Sequence, residues 1–375
     1  MRVMHSVTLV SDNGSYGGPV SVAIGQLSAL RDRGHQVLLT ALWSGATDPP
    51  VRLEDIDLRA ARARTFVPRT GFLGLFSLRY GRILWQEVGS ADMVHIHAGR
   101  DLASLAALGT AVARRKPFVV QTHGMIEVRT ALPSRMVDRL LKPLISRATA
   151  GLVLTQSERM SLADVLGART PPLVILPNGV RLGHGDDHDR VAGCSVLFLA
   201  RLHPRKRPTA FVHAAALVTR AVPEAKFDIY GPDEGSLAEV RSEIARLGLD
   251  HVVTYHGAVD HAEAQRITGA ADVYILPSID EPFPMSLLEA LAVGTPVICT
   301  ESTGISEELG RRGAAVVTDG SPEELAEATV GILTDSDRRE QLVSAGDRAV
   351  SEAFSIDAVA VALERIYAGA TAGPR

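Results

Sequence analysis

Apolar residues in this chain gather in short runs at 3–10, 36–42, 93–98, 118–122 and 152–155. Between these runs, over 20–33, 72–88, 102–114 and 135–149, apolar positions recur every three or four residues. Short runs that are apolar throughout predict strands covered on both faces, and the intervening period predicts helices, so the first half reads as a βαβ series. A second series opens at 195–200 and continues at 227–230, 252–255, 273–276, 297–300 and 315–317, again with helices between, and the pattern after Ser321 is helical to the end. The expected class is α/β: two mostly parallel sheets, each with helices on both sides.

Length agrees, since 375 residues are about twice what one ordinary domain needs. The stretch Val180–Gly193 is polar, with three Gly, three Asp and the pair His184 and His188, and reads as a solvated linker because no regular element spaces these side chains for a metal. The expected division is therefore a first domain over 1–181, a linker over 182–193, a second domain over 194–355, and a closing helix over 356–375 that packs back on the first domain. With 46% hydrophobic and 22% charged residues the chain is neither disordered nor a coiled coil. Cys194 and Cys299 lack the spacing of a disulfide framework or a zinc site. The amino terminus reads as a first strand and no apolar stretch approaches the 18 or so residues of a membrane span, so the expected setting is cytoplasmic, at most peripheral to a membrane.

The net charge of −4 conceals a division. Residues 1–181 hold 22 basic against 13 acidic side chains, while residues 182–375 hold 17 against 30. Such opposed halves predict surfaces of different use.

Three segments carry candidate chemistry. After the first strand, Gly14-Ser15-Tyr16-Gly17-Gly18-Pro19 leads into a helix, a loop that suits an anion as well as a plain tight turn; its spacing is neither that of a dinucleotide fingerprint nor of a P-loop. In the acidic half, the strand at 196–200 runs into Arg201, Arg205, Lys206 and Arg207, a cation cluster at the carboxyl end of a parallel strand, which reads as a phosphate site. Nucleic acid fits poorly, because the cluster lacks interleaved aromatics. After the strand at 273–276, Glu281 lies in a loop stiffened by Pro282 and Pro284, and Glu289 follows about two turns along the next helix. Carboxylates accept from vicinal hydroxyls and a helix amino terminus receives an anion, so this segment suits a polyhydroxylated, phosphorylated ligand. Taken singly, each Glu is equally a solvated surface residue.

Glu281 and Glu289, with seven residues between them in EPFPMSLLEALAVGTPVI, resemble the E-x7-E signature of the retaining nucleotide-sugar glycosyltransferases of family 4. The resemblance extends over nearly the whole chain, through Gly17-Gly18, Pro177-Asn178-Gly179-Val180, Arg201, Lys206 and Phe354-Ser355-Ile356. It implies the GT-B fold, two Rossmann-like doubly wound domains facing across a cleft, with the nucleotide sugar on the second domain and the acceptor mainly on the first. By the same resemblance, Arg201 and Lys206 neutralise the donor diphosphate, Glu281 holds sugar hydroxyls, Glu289 holds the ribose, His123 faces the donor sugar near the anomeric centre, and Glu307 lies near the donor. Gly17, Gly18, Phe283, Met285 and Ser286 complete the implied donor site, and Glu281, His123, Arg201 and Lys206 its catalytic set.

Two cations at a departing diphosphate stabilise the transition state more than the ground state, so no metal or other cofactor is expected. The pairs Asp55/Asp57, Asp187/Asp189 and Asp335/Asp337 follow no predicted strand and read as solvated. Pro284 stands where the family more often has Gly, which removes a backbone donor facing the sugar and leaves the hexose open. The expected activity is retaining, metal-independent transfer of a hexose or N-acetylhexosamine from a UDP- or GDP-sugar to a hydroxyl acceptor, a small molecule, glycan or lipid-linked group, chosen by loops such as 125–133. The alternatives are a nucleotide-sugar epimerase of the same fold and a non-catalytic nucleotide-sugar-binding subunit. The helix at 135–147 carries Met136, Val137, Leu140, Leu141, Leu144 and Ile145 among Arg135, Arg139, Lys142 and Arg147, which reads first as core-facing and second as a peripheral contact with an anionic membrane.

Overall fold

In the computed structural model, which describes residues 1–12, 17–67, 71–128, 132–182 and 193–372, the chain divides into two compact units, Met1–Gly179 with Ile356–Arg375, and Val180–Ser355. The first unit begins with β1 (Arg2–Ser11), α1 (Gly17–Asp32) and β2 (Gln36–Ser44). Two antiparallel hairpins follow, β3 (Arg52–Leu53) with β4 (Ile56–Arg62) and β5 (Arg64–Thr65) with β6 (Leu75–Phe76). The series then runs α2 (Leu78–Ser90), β7 (Met93–His97), α3 (Leu102–Ala113), β8 (Phe118–Gln121), α4 (Leu132–Ile145), β9 (Ala150–Val153), α5 (Gln156–Leu166) and β10 (Leu173–Ile175).

Eight strands form one sheet in the order β10-β9-β8-β7-β1-β2-β4-β3, parallel except for β3. Successive side chains alternate between faces. Met4, Val94 and Val120 pack on one face with Leu84, Leu108 and Leu141 of α2, α3 and α4. Val3, Met93 and Val119 pack on the other with Leu30 of α1 and with Val359, Leu363 and Tyr367 of the closing helix. The register sets His5 beside His95 and Gln121 beside His97, so these polar side chains share the second face with Val3, Met93 and Val119. Gly179 is required where the chain meets that closing helix: a Cβ there would lie 2.7 Å from the Ile356 Cα.

The helix predicted from residue 72 starts instead at Leu78. Residues 71–74 make one 3-10 turn, Leu75 and Phe76 pair with Thr65 and Arg64, and Ser77 is extended ahead of the helix. The strand Ile56–Arg62, next to last in the sheet, is buried along one face at Ile56, Leu58 and Ala60 and exposes Asp57, Arg59 and Arg62. Asp57 pairs there with Arg52 at 2.9 Å, and Asp55 lies near Arg31 at 3.8 Å, so this D-x-D pair is spent on arginines.

The second unit alternates β11 (Ser195–Leu199), α6 (Pro208–Ala221), β12 (Lys226–Tyr230), α7 (Leu237–Leu247), β13 (Val253–Gly257), α8 (His261–Ala270), β14 (Val273–Leu276), α9 (Met285–Ala292), β15 (Val297–Thr300), α10 (Ser306–Arg311) and β16 (Ala315–Thr318). Helices α11 (Pro322–Thr334) and α12 (Ser336–Ala349), a π-helical turn at Val350–Phe354 and α13 (Ile356–Ala372) complete the chain, α13 belonging to the first unit. Asp335 caps α12 by accepting from the Arg338 N–H, which accounts for that D-x-D pair; Asp187 and Asp189, with His184, His188 and most of the expected linker, lie outside the described residues. The second sheet is wholly parallel in the order β13-β12-β11-β14-β15-β16. No described helix is long and apolar enough to cross a membrane.

Candidate functional site

The second sheet grows outward from β11 through β12 to β13, then resumes on the opposite side of β11 with β14. Ligands of open α/β sheets bind beyond the carboxyl ends of the strands at such a reversal. The chain after β11 carries Arg201, Arg205 and Lys206, and the chain after β14 carries Glu281. The Lys206 ammonium donates to Glu281 Oε2 at 2.7 Å, with both side chains about nine-tenths shielded, and Arg205 lies 3.6 Å from the same oxygen. Local structure fixes this pair from both sides. Residues 204–206 form a 3-10 turn capped by His203 Nδ1 accepting from the Arg205 N–H, and Arg207, in the left-handed region at φ 50°, starts α6 with Pro208 at its first position. On the other side, the Ile279 N–H donates to the Arg205 carbonyl, the Asp280 N–H to Ser302 Oγ and the Gly304 N–H to the Glu281 carbonyl. The Glu281 loop is thereby tied to the cation loop and to the loop before α10.

Arg201 is held differently. Its guanidinium pairs with Glu234 at 2.9 and 3.0 Å in an exposed ion pair, and does not join Glu281. Gly231, at φ 138°, permits this approach, because a Cβ there would sit 1.9 Å from the Ala200 carbonyl oxygen. Beneath the site, buried Tyr274 donates to the Leu199 carbonyl at 2.8 Å and is also hydrogen-bonded to Ser286, so one hydroxyl joins the end of β11 to the first turn of α9. Burial raises the Tyr274 pKa, so the hydroxyl stays protonated. Phe283 is buried, Pro284 is the N-cap residue of α9 without a side-chain cap, and Met285 and Ser286 open the helix. Glu289 is half-buried on α9. Burial pushes its carboxyl pKa up, and nearby His261 pulls the other way. Glu307 is exposed in the first turn of α10.

In the first unit the reversal lies between β1 and β7. Gly17 and Gly18 begin α1 after β1, and a Cβ on Gly18 would meet nothing within 4 Å; Gly14, Ser15 and Tyr16 lie outside the described residues. His123 follows β8 at φ 51°, with Gly124 at φ 72°. Two consecutive left-handed residues need outside support, and Glu158 supplies it. Its carboxylate accepts from Thr122 Oγ1 at 2.6 Å, the Gly124 N–H at 2.5 Å and the Leu154 N–H at 2.7 Å, while Thr155 caps α5 through the Glu158 N–H. Arg100, in a shielded ion pair with Asp138 of α4 at 2.8 Å, also donates to the Met125 carbonyl at 3.1 Å and to the Glu127 carbonyl, which steadies the chain beyond His123.

His123 is also the outer member of a histidine cluster that sequence reasoning did not single out. Its Nε2 lies 2.7 Å from His97 Nδ1, His97 Nε2 lies 3.0 Å from His5 Nδ1, and His5 Nε2 lies 3.1 Å from the Tyr367 hydroxyl, which also lies 2.7 Å from His95 Nδ1. Burial, and then the neighbouring histidines, hold the pKa values of His5, His95 and His97 well below the ordinary value. Burial pushes the pKa of His123 down to about 3.

On α4, Val137, Leu141, Leu144 and Ile145 pack inward, while Met136 and Leu140 are exposed beside exposed Arg135 and Arg139. The apolar stripe read from the sequence is thus two stripes, one in the core and one outside.

The sequence model of glycosyl transferases group 1 matches residues 194–349, and that of Glycosyltransferase Family 4 matches residues 16–184. A phosphatidyl-myo-inositol mannosyltransferase of Mycobacterium leprae is 28% identical over 94% of this chain and 92% of its own length. A D-inositol 3-phosphate glycosyltransferase of an Arthrobacter species is 29% identical over 62% of this chain and 60% of its own. Anabaena HepE in complex with UDP has a similar fold, with a TM-score of 0.77 and 18% identity over 98% of this chain and all of that one.

Proposed function

The chain belongs to the family 4 glycosyltransferases and has the GT-B fold, and from that premise we propose that it transfers a hexose or N-acetylhexosamine from a UDP- or GDP-sugar to a hydroxyl acceptor, with retention and without a metal. The observation that carries this reading is the shielded Lys206–Glu281 pair where the second sheet reverses. Lys206 and Arg201 meet the diphosphate, and Glu281 accepts from sugar hydroxyls. Glu289 accepts from the ribose, and the first turn of α9, with Phe283, Met285 and Ser286, receives the rest of the donor together with Glu307. In the first unit, Gly17, Gly18 and His123 serve the donor sugar and its phosphates. UDP, the ligand of the HepE structure, is a donor product of the chemistry assigned here.

In the proposed reaction the bond from the anomeric carbon to the phosphate oxygen breaks as the bond to the acceptor oxygen forms on the same face. The acceptor's proton passes to the departing diphosphate, whose growing charge is met by Lys206 and Arg201. A thermal-shift panel of UDP-, GDP- and ADP-sugars in the presence of EDTA tests donor and metal independence together. A selective rise for one donor is expected, about 2.7 kcal/mol of added stability at a hundred times its dissociation constant. Absence of any shift across the panel, or a shift that needs a divalent ion, would overturn the reading; inversion at the anomeric carbon of the product, read by proton NMR, would overturn retention.

The exposed Met136 and Leu140, each next to an exposed arginine, Arg135 and Arg139, favour a peripheral contact with an anionic lipid surface as part of the same function. Cosedimentation with phosphatidylserine vesicles is expected at low salt and to fall at high salt. Equal recovery with neutral vesicles, or no loss in a Met136→Ser/Leu140→Ser variant, would remove this element.

A further inference from the structure

The chain leaves β8 through a four-residue turn, Thr122-His123-Gly124-Met125, closed by the Met125 N–H donating to the Thr122 carbonyl at 2.8 Å. Both central residues lie at positive φ, 51° for His123 and 72° for Gly124, as in a type I′ turn. Gly, Asn and Asp are the usual residues at the first central position of such a turn, and the turn itself has no need of an imidazole. A side chain kept on an unfavoured backbone conformation points to a use for that side chain, provided that the surroundings hold it there.

They hold it from both flanks. On one side, Glu158 Oε1 accepts from Thr122 Oγ1 and from the Gly124 N–H, at 2.6 and 2.5 Å, and Oε2 accepts from the Leu154 N–H at 2.7 Å. On the other, the Arg100 guanidinium, in its shielded pair with Asp138 at 2.8 Å, donates to the Met125 carbonyl at 3.1 Å and to the Glu127 carbonyl. A carboxylate, which only accepts, thus takes the donors of Thr122 and Gly124, and a guanidinium, which only donates, takes the carbonyls of Met125 and Glu127. Neither could serve in the other's place. The side chains come from separate elements: Glu158 from the first turn of α5, Arg100 from the loop after β7, and its partner Asp138 from α4. What they hold in place is the imidazole of His123, which stacks on His97 with 11° between the rings and sets Nε2 2.7 Å from His97 Nδ1.

We propose that Glu158 and Arg100 are positioning residues for the sugar-transfer site: together they fix the turn that carries His123, so that its ring stands in place before the donor arrives. The proposal rests on the assignment of His123 to the donor-sugar site. A turn free to relax would place the ring correctly in only a fraction of molecules, and the rate would fall with that fraction. The requirement is for hydrogen-bonding groups of the right kind and number, not for bulk. Glu158→Gln keeps the shape but brings one acceptor oxygen and an amide NH2 to three donors. Arg100→Lys keeps the charge, but a single ammonium does not reach Asp138 and two carbonyls at once.

The test is a pair of double-mutant cycles on the full chain, Glu158→Gln and Arg100→Lys, each alone and combined with His123→Ala. The rate read is release of nucleoside diphosphate from the donor that the thermal-shift panel selects, with water as acceptor, well below the melting temperature of each variant. Each single variant should lose about tenfold in kcat with little change in the donor KM, the scale of one orienting hydrogen bond. Neither should lower the rate further in the His123→Ala background. A purely structural role shifts the melting temperature and gives the same fractional loss, or none, with or without His123; either result would overturn the proposal. Should Glu158→Gln fail to fold, the Arg100→Lys cycle decides. Hydrogen exchange gives a reading without substrate: the Gly124 amide should exchange faster in Glu158→Gln while the β7 amides keep their protection, and unchanged exchange at Gly124 would also overturn the proposal. Full activity in His123→Ala would overturn the assignment of His123 to the site, and the proposal with it, while the exchange at Gly124 would still report on the clamp.

Discussion

Replacing Lys206 by alanine is expected to lower turnover by about 10² to 10³ while the second unit stays folded, the loss typical of one preorganised contact to charge that develops in the transition state. Lys206 is fixed rather than flexible: its ammonium is 2.7 Å from Glu281 and its side chain is only 11% exposed. A cation so held gains more from a diphosphate that is accumulating charge than from the intact donor, so the loss should fall mainly on kcat. The variant also leaves the shielded Glu281 carboxylate with Arg205 alone, at 3.6 Å, which costs stability of about 1 to 3 kcal/mol. Kinetics are therefore to be measured below a melting temperature determined for each variant. Arg201→Ala provides the contrast. Its pair with Glu234 is exposed, so stability should change by less than about 1 kcal/mol while turnover still falls. Turnover of Lys206→Ala within threefold of the wild type would remove the cation from the mechanism.

That contrast marks where the sequence stops being readable. Apolar runs at 196–200 and 273–276 placed two strands, and residue order placed Arg201 and Lys206 in one loop and Glu281 in another. Which cation meets which carboxylate depends on strand order, and adjacency of β11 and β14 is a long-range property with no local signal. Glu234, the partner of Arg201, follows β12 and has no motif around it. Tyr274 sits within an apolar strand where an aromatic residue is ordinary, and only the fold shows its hydroxyl joining β11 to α9.

The first unit gives a sharper case. Thr155-Gln156-Ser157-Glu158 is a readable helix-capping pattern, since a Thr three residues ahead of a Glu commonly starts a helix. It would have located α5, though not the second use of the Glu158 carboxylate as the support beneath His123. His95 and His97 alternate in a strand whose other residues are apolar, and alternation alone suggests one shared face. The step from there to a chain of four histidines and a tyrosine needs the parallel register of β1 with β7 and the return of α13 across the sheet, neither of which is local.

The same cluster sets the largest response expected to solution conditions: the first unit should lose stability steeply between pH 7 and pH 5.5. His5, His95 and His97 are fully buried with pKa values held well below 6.5, by burial first and by one another next. In the unfolded chain they titrate near 6.5. Below that value the unfolded state binds more protons than the folded state, so unfolding is favoured as pH falls, and the contribution is regained as pH rises through 6.5. At up to about 1.4 kcal/mol per pH unit for each group, three histidines amount to roughly 4 kcal/mol over this interval, a large part of an ordinary domain's stability. Other titrating groups of this face act elsewhere on the scale. Glu364 of α13, held at about 2 by its hydrogen bonds to Arg33 and His35, stabilises the unit above the ordinary carboxylate range and loses that effect only as pH falls below about 4.5. Buried Asp101 is raised by desolvation and acts in the opposite sense. In the second unit no described histidine is fully buried. Hydrogen exchange of the β1, β7 and β8 amides should therefore accelerate between pH 7 and pH 5.5, after correction for intrinsic rates, while the β11 and β14 amides keep their protection. Unchanged protection of β1, β7 and β8 at pH 5.5 would show that the histidines are already protonated in the folded state, and the neutral hydrogen-bond chain from Tyr367 to His123 would fall with that result.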